Sequence, residues 1–206
     1  MTAPSPTLVI ASGNAGKLRE FGQLLSPLGL TVRPQPEGLA VEETGASFAE
    51  NARLKAVAVA HATGCWALAD DSGLSVDALG GAPGVQSARY AASDSARIER
   101  LLRELAQAQT TAAAEGRTAD RRARFTAALA LADASGRVLL EVEGVCPGTI
   151  LEQPRGQGGF GYDPVFFVPE VGLTFAEMDS GLKGRISHRG RALAALAPRL
   201  RELLAG

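Results

Sequence analysis

A chain of 206 residues, 46% of them apolar, is long enough to bury a real core in one domain spanning residues 1–206, with room for two lobes sharing a cleft. Its 21 Lys and Arg almost cancel 22 Asp and Glu, and the net charge of −1 excludes the sustained positive field of a protein that coats nucleic acid. With only His61 and His188, a multi-histidine zinc or copper centre is also excluded, so a metal here takes oxygen ligands, which points to magnesium or manganese.

In chain order, Leu8-Val9-Ile10-Ala11 is a short apolar run that predicts a buried strand. Turn chemistry follows at residues 12–16, then a helix with Leu18, Phe21, Leu24 and Leu25 on one face, closed by Ser26-Pro27. Strand, glycine-bearing turn and helix are the opening of an α/β protein. Residues 30–33 predict a second strand. Ser47 and Glu50 form a capping box, so a helix starts there and runs to about His61, with Gly64 as its terminating glycine. On that helix Ser47, Asn51 and Lys55 fall at i, i+4 and i+8, a polar stripe beside an apolar one.

Trp66-Ala67-Leu68-Ala69 predicts a strand that ends in Asp70-Asp71-Ser72-Gly73, and Leu74-Ser75-Val76-Asp77 alternates after it. Ile98, Leu101, Leu102 and Leu105 mark another helix, whose charged outer face is plain solvation. Residues 110–120 are small and polar and predict a loop. Residues 124–132 and 138–145, joined around Ala134-Ser135-Gly136, predict a long antiparallel hairpin. A glycine-rich loop over residues 153–163 leads to a strand at residues 165–168. A last helix starts at about Ser187 and is kinked or broken at Pro198. Cys65 and Cys146 are far apart and fit two small buried hydrophobes in a reducing compartment. Residues 1–6 lack a cationic segment before an apolar run, and no stretch reaches membrane-span length, so the cytoplasm is the expected location.

Four segments carry chemistry. Ser12, Gly13, Asn14, Ala15, Gly16 and Lys17 join a strand to a helix, and amides at a helix start beside a lysine suit a phosphate. Neither a Walker A loop nor the dinucleotide fingerprint fits these positions. Asp70 and Asp71 are adjacent carboxylates that resist burial together and are best tolerated beside a cation. Phe160, Gly161, Tyr162 and Asp163 combine flexible backbone with two rings able to flank a flat base and an acid able to read its edge. Lys183, His188 and Arg189 fall close together, with Ser187 as N-cap of the last helix, and suit an anion or base-edge contact.

Taken in order, SGNAGK, EETGASFAENARLKA, ADDSGLSVDALGGAPGVQSARY, GGFGYDP and ISHRG resemble the noncanonical purine NTP pyrophosphatase family, also described as inosine triphosphatase-like or dITP/XTP pyrophosphatases. The resemblance implies an α/β fold with an elongated, bent mixed sheet, flanking helices and two lobes around a nucleotide cleft. It implies a homodimer that needs magnesium and clears ITP, dITP and XTP, each cut to its monophosphate and pyrophosphate by water attack at the α-phosphorus. By matching motif positions, residues 12–17 hold the triphosphate, Glu42 and Asp71 organise the metal, and Ser72 and Lys55 contact phosphates. Phe160 to Asp163, Lys183, His188 and Arg189 then hold the purine and sugar. Asp71, or Asp70 beside it, accepts the proton. The resemblance leaves no role for nucleic acid or membrane.

Overall fold

The computed structural model describes residues 7–205; residues 1–6 and 206, and the side chain of Leu24, lie outside the described residues. The reading of residues 1–6 as lacking a cationic segment before an apolar run, and the place of Leu24 on its helix face, therefore fall outside them. Strands β1 (Thr7–Ala11), β2 (Thr31–Pro34), β3 (Trp66–Val76), β4 (Arg122–Ala132), β5 (Val138–Ile150), β6 (Phe166–Val168) and β7 (Leu173–Thr174) form one sheet in the order β2-β1-β3-β4-β5-β6-β7. The sheet is mixed. β1 runs parallel to β2 and β3, whereas β6 is antiparallel to β5 and β7. The helices are α1 (Ala15–Leu25), α2 (Phe48–Thr63), α3 (Asp94–Ala114), α4 (Ser180–Ile186) and α5 (His188–Ala205). The α/β class and mixed sheet expected from sequence are both present.

The chain divides into two compact units, one of Met1–Asp71, Ala127–Gly144 and His188–Gly206, the other of Ser72–Thr126 and Val145–Ser187. In the first unit, strand alternation sorts the core into two layers. Leu8 and Ile10 of β1, Leu68 of β3, and Ala127, Leu129 and Leu131 of β4 share a cluster with Phe21 and Leu25 of α1 and Leu193, Leu196 and Leu200 of α5. The intervening residues Val9, Ala11, Ala67, Ala69, Ala128, Ala130 and Ala132 share a second cluster with Ala52, Ala56, Val59 and Ala60 of α2. One face of the sheet is therefore packed with leucines against two helices, and the other with alanines against one. The second unit is built around Phe125, Phe166 and Phe175, whose ring centroids lie 4.8–5.6 Å apart, with Leu101 and Leu105 of α3 in the same cluster.

Local signals read from sequence explain most boundaries. Ser47 Oγ accepts the Glu50 amide at 3.2 Å to cap α2, and Gly64 ends it in the left-handed region at φ 63°. The Glu50 carboxylate reaches back one residue further than a capping box requires, to the Ala46 amide at 2.7 Å. The 133–137 turn joins β4 to β5 with Gly136 at φ 81°, as the predicted hairpin requires.

Two expectations are corrected, and two further boundaries emerge. β3 does not end at Asp70 but runs unbroken to Val76. Residues 110–114 continue α3 rather than forming a loop: three of them are alanines, Ala112 is buried, and the Thr110 hydroxyl bonds back to the Ala106 carbonyl at 3.0 Å. The segment before Lys183 is a short helix, α4, capped by Asp179, whose Oδ1 accepts the Leu182 amide at 2.8 Å. Ser187 closes α4 and precedes α5, which runs through Pro198 without a break.

Gly144 of β5 marks a close backbone approach in the first unit. A Cβ there would lie 2.2 Å from the His188 carbonyl oxygen and 2.3 Å from the Ala192 nitrogen, both backbone atoms of α5. Gly144→Ala is expected to lower the unfolding free energy in urea by about 1–3 kcal/mol, because a helix backbone must shift to admit the methyl. An unchanged midpoint would show that α5 has slack at this point.

Candidate active site

The two acids of β3 obey the alternation of the strand that carries them. Asp70 follows Leu68 toward the leucine layer, and Asp71 follows Ala69 toward the alanine layer. The β1 ladder stops at the pairing of Ala11 with Ala69, so both acids lie just past the carboxyl end of β1, where open α/β sheets place ligands. Two adjacent carboxylates thus avoid sharing one environment. Each is met by different cations.

Asp70 is 1% exposed. Its Oδ2 receives Lys17 Nζ at 2.8 Å from α1 and Arg189 Nε at 3.1 Å from α5. Arg189 also donates through Nη1 to Glu20 Oε2 at 2.8 Å. Burial alone would raise the Asp70 pKa, but the charges of Lys17 and then Arg189 overturn it and hold the carboxyl far below its ordinary range. Burial lowers the Lys17 pKa despite Asp70, with Arg189 and Lys55 adding repulsion. Asp70 is a fixed anion whose protonation is suppressed, unsuited to taking a proton near neutral pH.

Asp71 has the opposite electrostatics. Burial, the largest cause, and the nearby Glu43 raise its pKa, while Lys55 opposes them. Its Oδ1 receives Lys55 Nζ at 2.8 Å, and its Oδ2 receives Asn51 Nδ2 at 3.2 Å. Lys55 Nζ also donates to Glu43 Oε1 at 2.8 Å and to the Asp70 carbonyl oxygen at 2.9 Å. Burial opposes the charge on Lys55, but Asp71 and Glu43 prevail and its pKa is raised. The polar stripe of α2 is therefore aimed at Asp71. Glu42, expected to organise the metal, is exposed, and the acid that Lys55 ties to Asp71 is its neighbour Glu43.

The turn from β1 to α1 leaves Gly13, Asn14 and Ala15 exposed. Its amides are not all open. Asn14 Oδ1 accepts from the Gly16 amide at 2.8 Å and the Lys17 amide at 3.1 Å, and Ser12 Oγ accepts from the Asn14 amide at 3.1 Å. An anion bound here takes the place of an internal cap.

In the second unit, Asp163 Oδ2 accepts the Phe160 amide at 2.9 Å and Lys183 Nζ at 2.7 Å, and Lys183 Nζ lies 5.2 Å from the Phe160 ring centroid. Gly159, at φ 74°, has no room for a side chain, since a Cβ would stand 2.0 Å from Asp163 Oδ2. The expectation of two rings around a base is corrected: Tyr162 is buried in the aromatic core with its hydroxyl on the Ser87 carbonyl at 2.9 Å, so Phe160 alone has a ring face to offer. Ser72 follows Asp71 on β3 and is half-buried. His188 and Arg189 begin α5 and are buried. A depression of about 650 Å³ near Asp77, Glu104 and Arg122 contains none of the predicted site residues.

Among the described residues the structure thus gathers Lys17, Lys55 and Arg189 with Glu20, Glu43, Asp70 and Asp71. Asn51, Glu43 and Glu20 are the members that sequence reading did not assign. Asn51 stood on the polar stripe and Glu43 beside Glu42, but Glu20 had no local signal, because its partner Arg189 is remote in sequence.

An α/β chain that presents anchored lysines and paired carboxylates past the end of a parallel strand is built as a phosphoanhydride hydrolase. The chain belongs to the Ham1 family, whose model matches residues 8–199. It is 62% identical over 197 residues to a dITP/XTP pyrophosphatase of Prochlorococcus marinus, covering 96% of this chain and 92% of that one. It superposes with a TM-score of 0.84 on a HAM1 protein from Coxiella burnetii, at 44% identity over 96% and 99% of the two chains. A nucleoside-triphosphatase, dITP/XTP pyrophosphatase, from Mycobacterium abscessus matches with a TM-score of 0.69 at 41% identity, covering 93% of this chain and 99% of that one.

Because the Asp70 pKa is depressed, its stabilisation is fully present above its ordinary value of 3.8 and is lost as pH falls below that. Asp70→Asn strips Lys17 of its carboxylate partner and leaves Arg189 with Glu20 alone, so a loss of about 3–5 kcal/mol is expected at neutral pH, shrinking on acidification. Urea unfolding at pH 7 and pH 3 measures both.

Proposed function

We propose that this protein hydrolyses noncanonical purine nucleoside triphosphates, ITP, dITP and XTP, to the monophosphate and pyrophosphate. The observation that carries the reading is the contrast between Asp70, clamped as an anion by Lys17 and Arg189, and Asp71, whose pKa is raised beside Lys55. It supports Asp71 as the proton acceptor for the attacking water.

The donor set fits a divalent cation. Glu43 and Asp71 already share one ammonium, Lys55, at 2.8 Å from each, and the oxygens are all carboxylate. Such a set suits magnesium held by one or two carboxylates with phosphate and water oxygens completing it. Asp71 with the Glu42 and Glu43 pair would hold it, and when bound it supplies charge neutralisation and a more acidic water. Manganese would substitute.

Asp71 orients and deprotonates the water. Lys17 and Lys55 place fixed positive charge where the leaving pyrophosphate grows negative, with Ser12, Gly13, Asn14, Ala15, Gly16 and Ser72 cradling the chain. In-line displacement of this kind is mostly positioning and charge, so no covalent nucleophile is needed and both cysteines stay idle. The Phe160 ring stacks on the base. A donor at the 6-oxo group, Lys183 by its ammonium, accepts an oxo purine and leaves the 6-amino of adenine facing a donor. Such mispairing costs about 10⁴-fold in rate ratio. His188 and Arg189 keep the purine and sugar assignment that the resemblance implies. The homodimer rests on the resemblance and the cytoplasmic location on the expectation from sequence; among the described residues no helix is long and apolar enough to cross a membrane.

Incubation with dITP and magnesium is expected to yield dIMP and pyrophosphate. Orthophosphate as sole product would reject the reaction, and fastest turnover of dTTP would reject the purine preference. Asp71→Asn is expected to lower kcat by about 10²- to 10⁴-fold with the melting temperature retained. EDTA is expected to stop turnover reversibly. Lys183→Met is expected to raise KM for dITP more than it lowers kcat, checked by steady-state kinetics on ITP and ATP side by side.

A further inference from the structure

We infer that Asn51 is a positioning residue for the reaction, fixing which oxygen of Asp71 faces the metal and the attacking water; this rests on the function proposed above. Asn51 is fully buried, and burial of a primary amide is costly unless its groups are bonded. Its Nδ2 donates to Asp71 Oδ2 at 3.2 Å, and its Oδ1 accepts the Gly45 amide at 2.8 Å. One amide therefore joins the carboxylate of β3 to the loop that carries Glu42 and Glu43.

The consequence for Asp71 is geometric. With Oδ2 occupied by Asn51, Oδ1 is the oxygen turned toward Lys55 Nζ, itself bound to Glu43 Oε1 at 2.8 Å. Lys55 can leave for a phosphate without freeing the carboxylate to rotate, because the Asn51 bond remains. The link to Gly45 is equally constrained. A Cβ on Gly45 would stand 2.6 Å from Glu50 Cβ and 2.7 Å from Asn51 Oδ1, so the loop lies flat against the start of α2 where the Asn51 carbonyl can reach its amide. The Gly45 amide needs an acceptor and Asp71 needs a donor, and asparagine supplies both from one side chain. Outer partners that orient metal-binding carboxylates contribute about 10- to 100-fold to metal affinity or activity.

The test uses Asn51→Asp, which keeps an acceptor for the Gly45 amide and removes the donor to Asp71, and Asn51→Ser, too short to make either bond. Binding of Mn²⁺ alone, without nucleotide, is read by electron paramagnetic resonance, next to kcat and KM for dITP and the melting temperature. A positioning role requires Mn²⁺ affinity and kcat to fall together by about 10- to 100-fold in at least one folded variant, with KM changed far less. Retained Mn²⁺ affinity and kcat in every folded variant overturns the assignment, even if the melting temperature drops. Should Asn51→Asp fail to fold, Asn51→Ser decides by the same two readings. If the wild-type protein releases no pyrophosphate from dITP, the proposed function fails while the Mn²⁺ measurement still judges Asn51.

Discussion

The closure of Lys17 and Arg189 on a single buried carboxylate oxygen of Asp70 is the interaction on which the first unit depends. It draws the first turn of α1 and the first turn of α5 to the same point of β3. Removing one partner would strand the others in a low-dielectric interior, so the arrangement tolerates no partial version. Everything the helices carry at their starts, including the turn over residues 12–17, is indexed to that point.

Strand geometry then separates the roles of two identical neighbours. Asp70 faces the layer where helices deliver cations and becomes a permanent anion; Asp71 faces α2 and Glu43 and keeps a proton affinity above that of an ordinary carboxylate. A chemical difference that side-chain identity cannot supply arises from a rotation of half a pleat. The same logic gives Lys55 its reach, since it touches Glu43, Asp71 and the Asp70 carbonyl from one helix position.

What sequence made legible was local. Apolar periodicity placed β1, β4, β5 and α2, and capping residues placed the ends of α2, because both signals are carried by neighbouring residues. The acids, the turn over residues 12–17 and the stripe from Ser47 to Lys55 were visible for the same reason. Tertiary pairing was not. Asp70-Asp71 resembled the end of a strand because charged residues seldom continue one, and only remote cations allow β3 to pass through them. Tyr162 looked available beside Phe160 because adjacency says nothing about which ring the aromatic core will claim. Glu20 found Arg189, and Glu43 rather than Glu42 found Lys55, through contacts that no spacing rule reports.

The layer between α2 and the sheet is composed almost wholly of single methyl groups from Ala11, Ala52, Ala56, Ala60, Ala67, Ala69, Ala128 and Ala130. Side chains that small let a helix settle close to strand backbone, close enough for an amide as short as that of Asn51 to touch β3. A branched residue in place of one of these alanines would prop α2 outward and carry Asn51 and Lys55 away from their acid. The chemistry is therefore hostage to alanines that never meet a substrate.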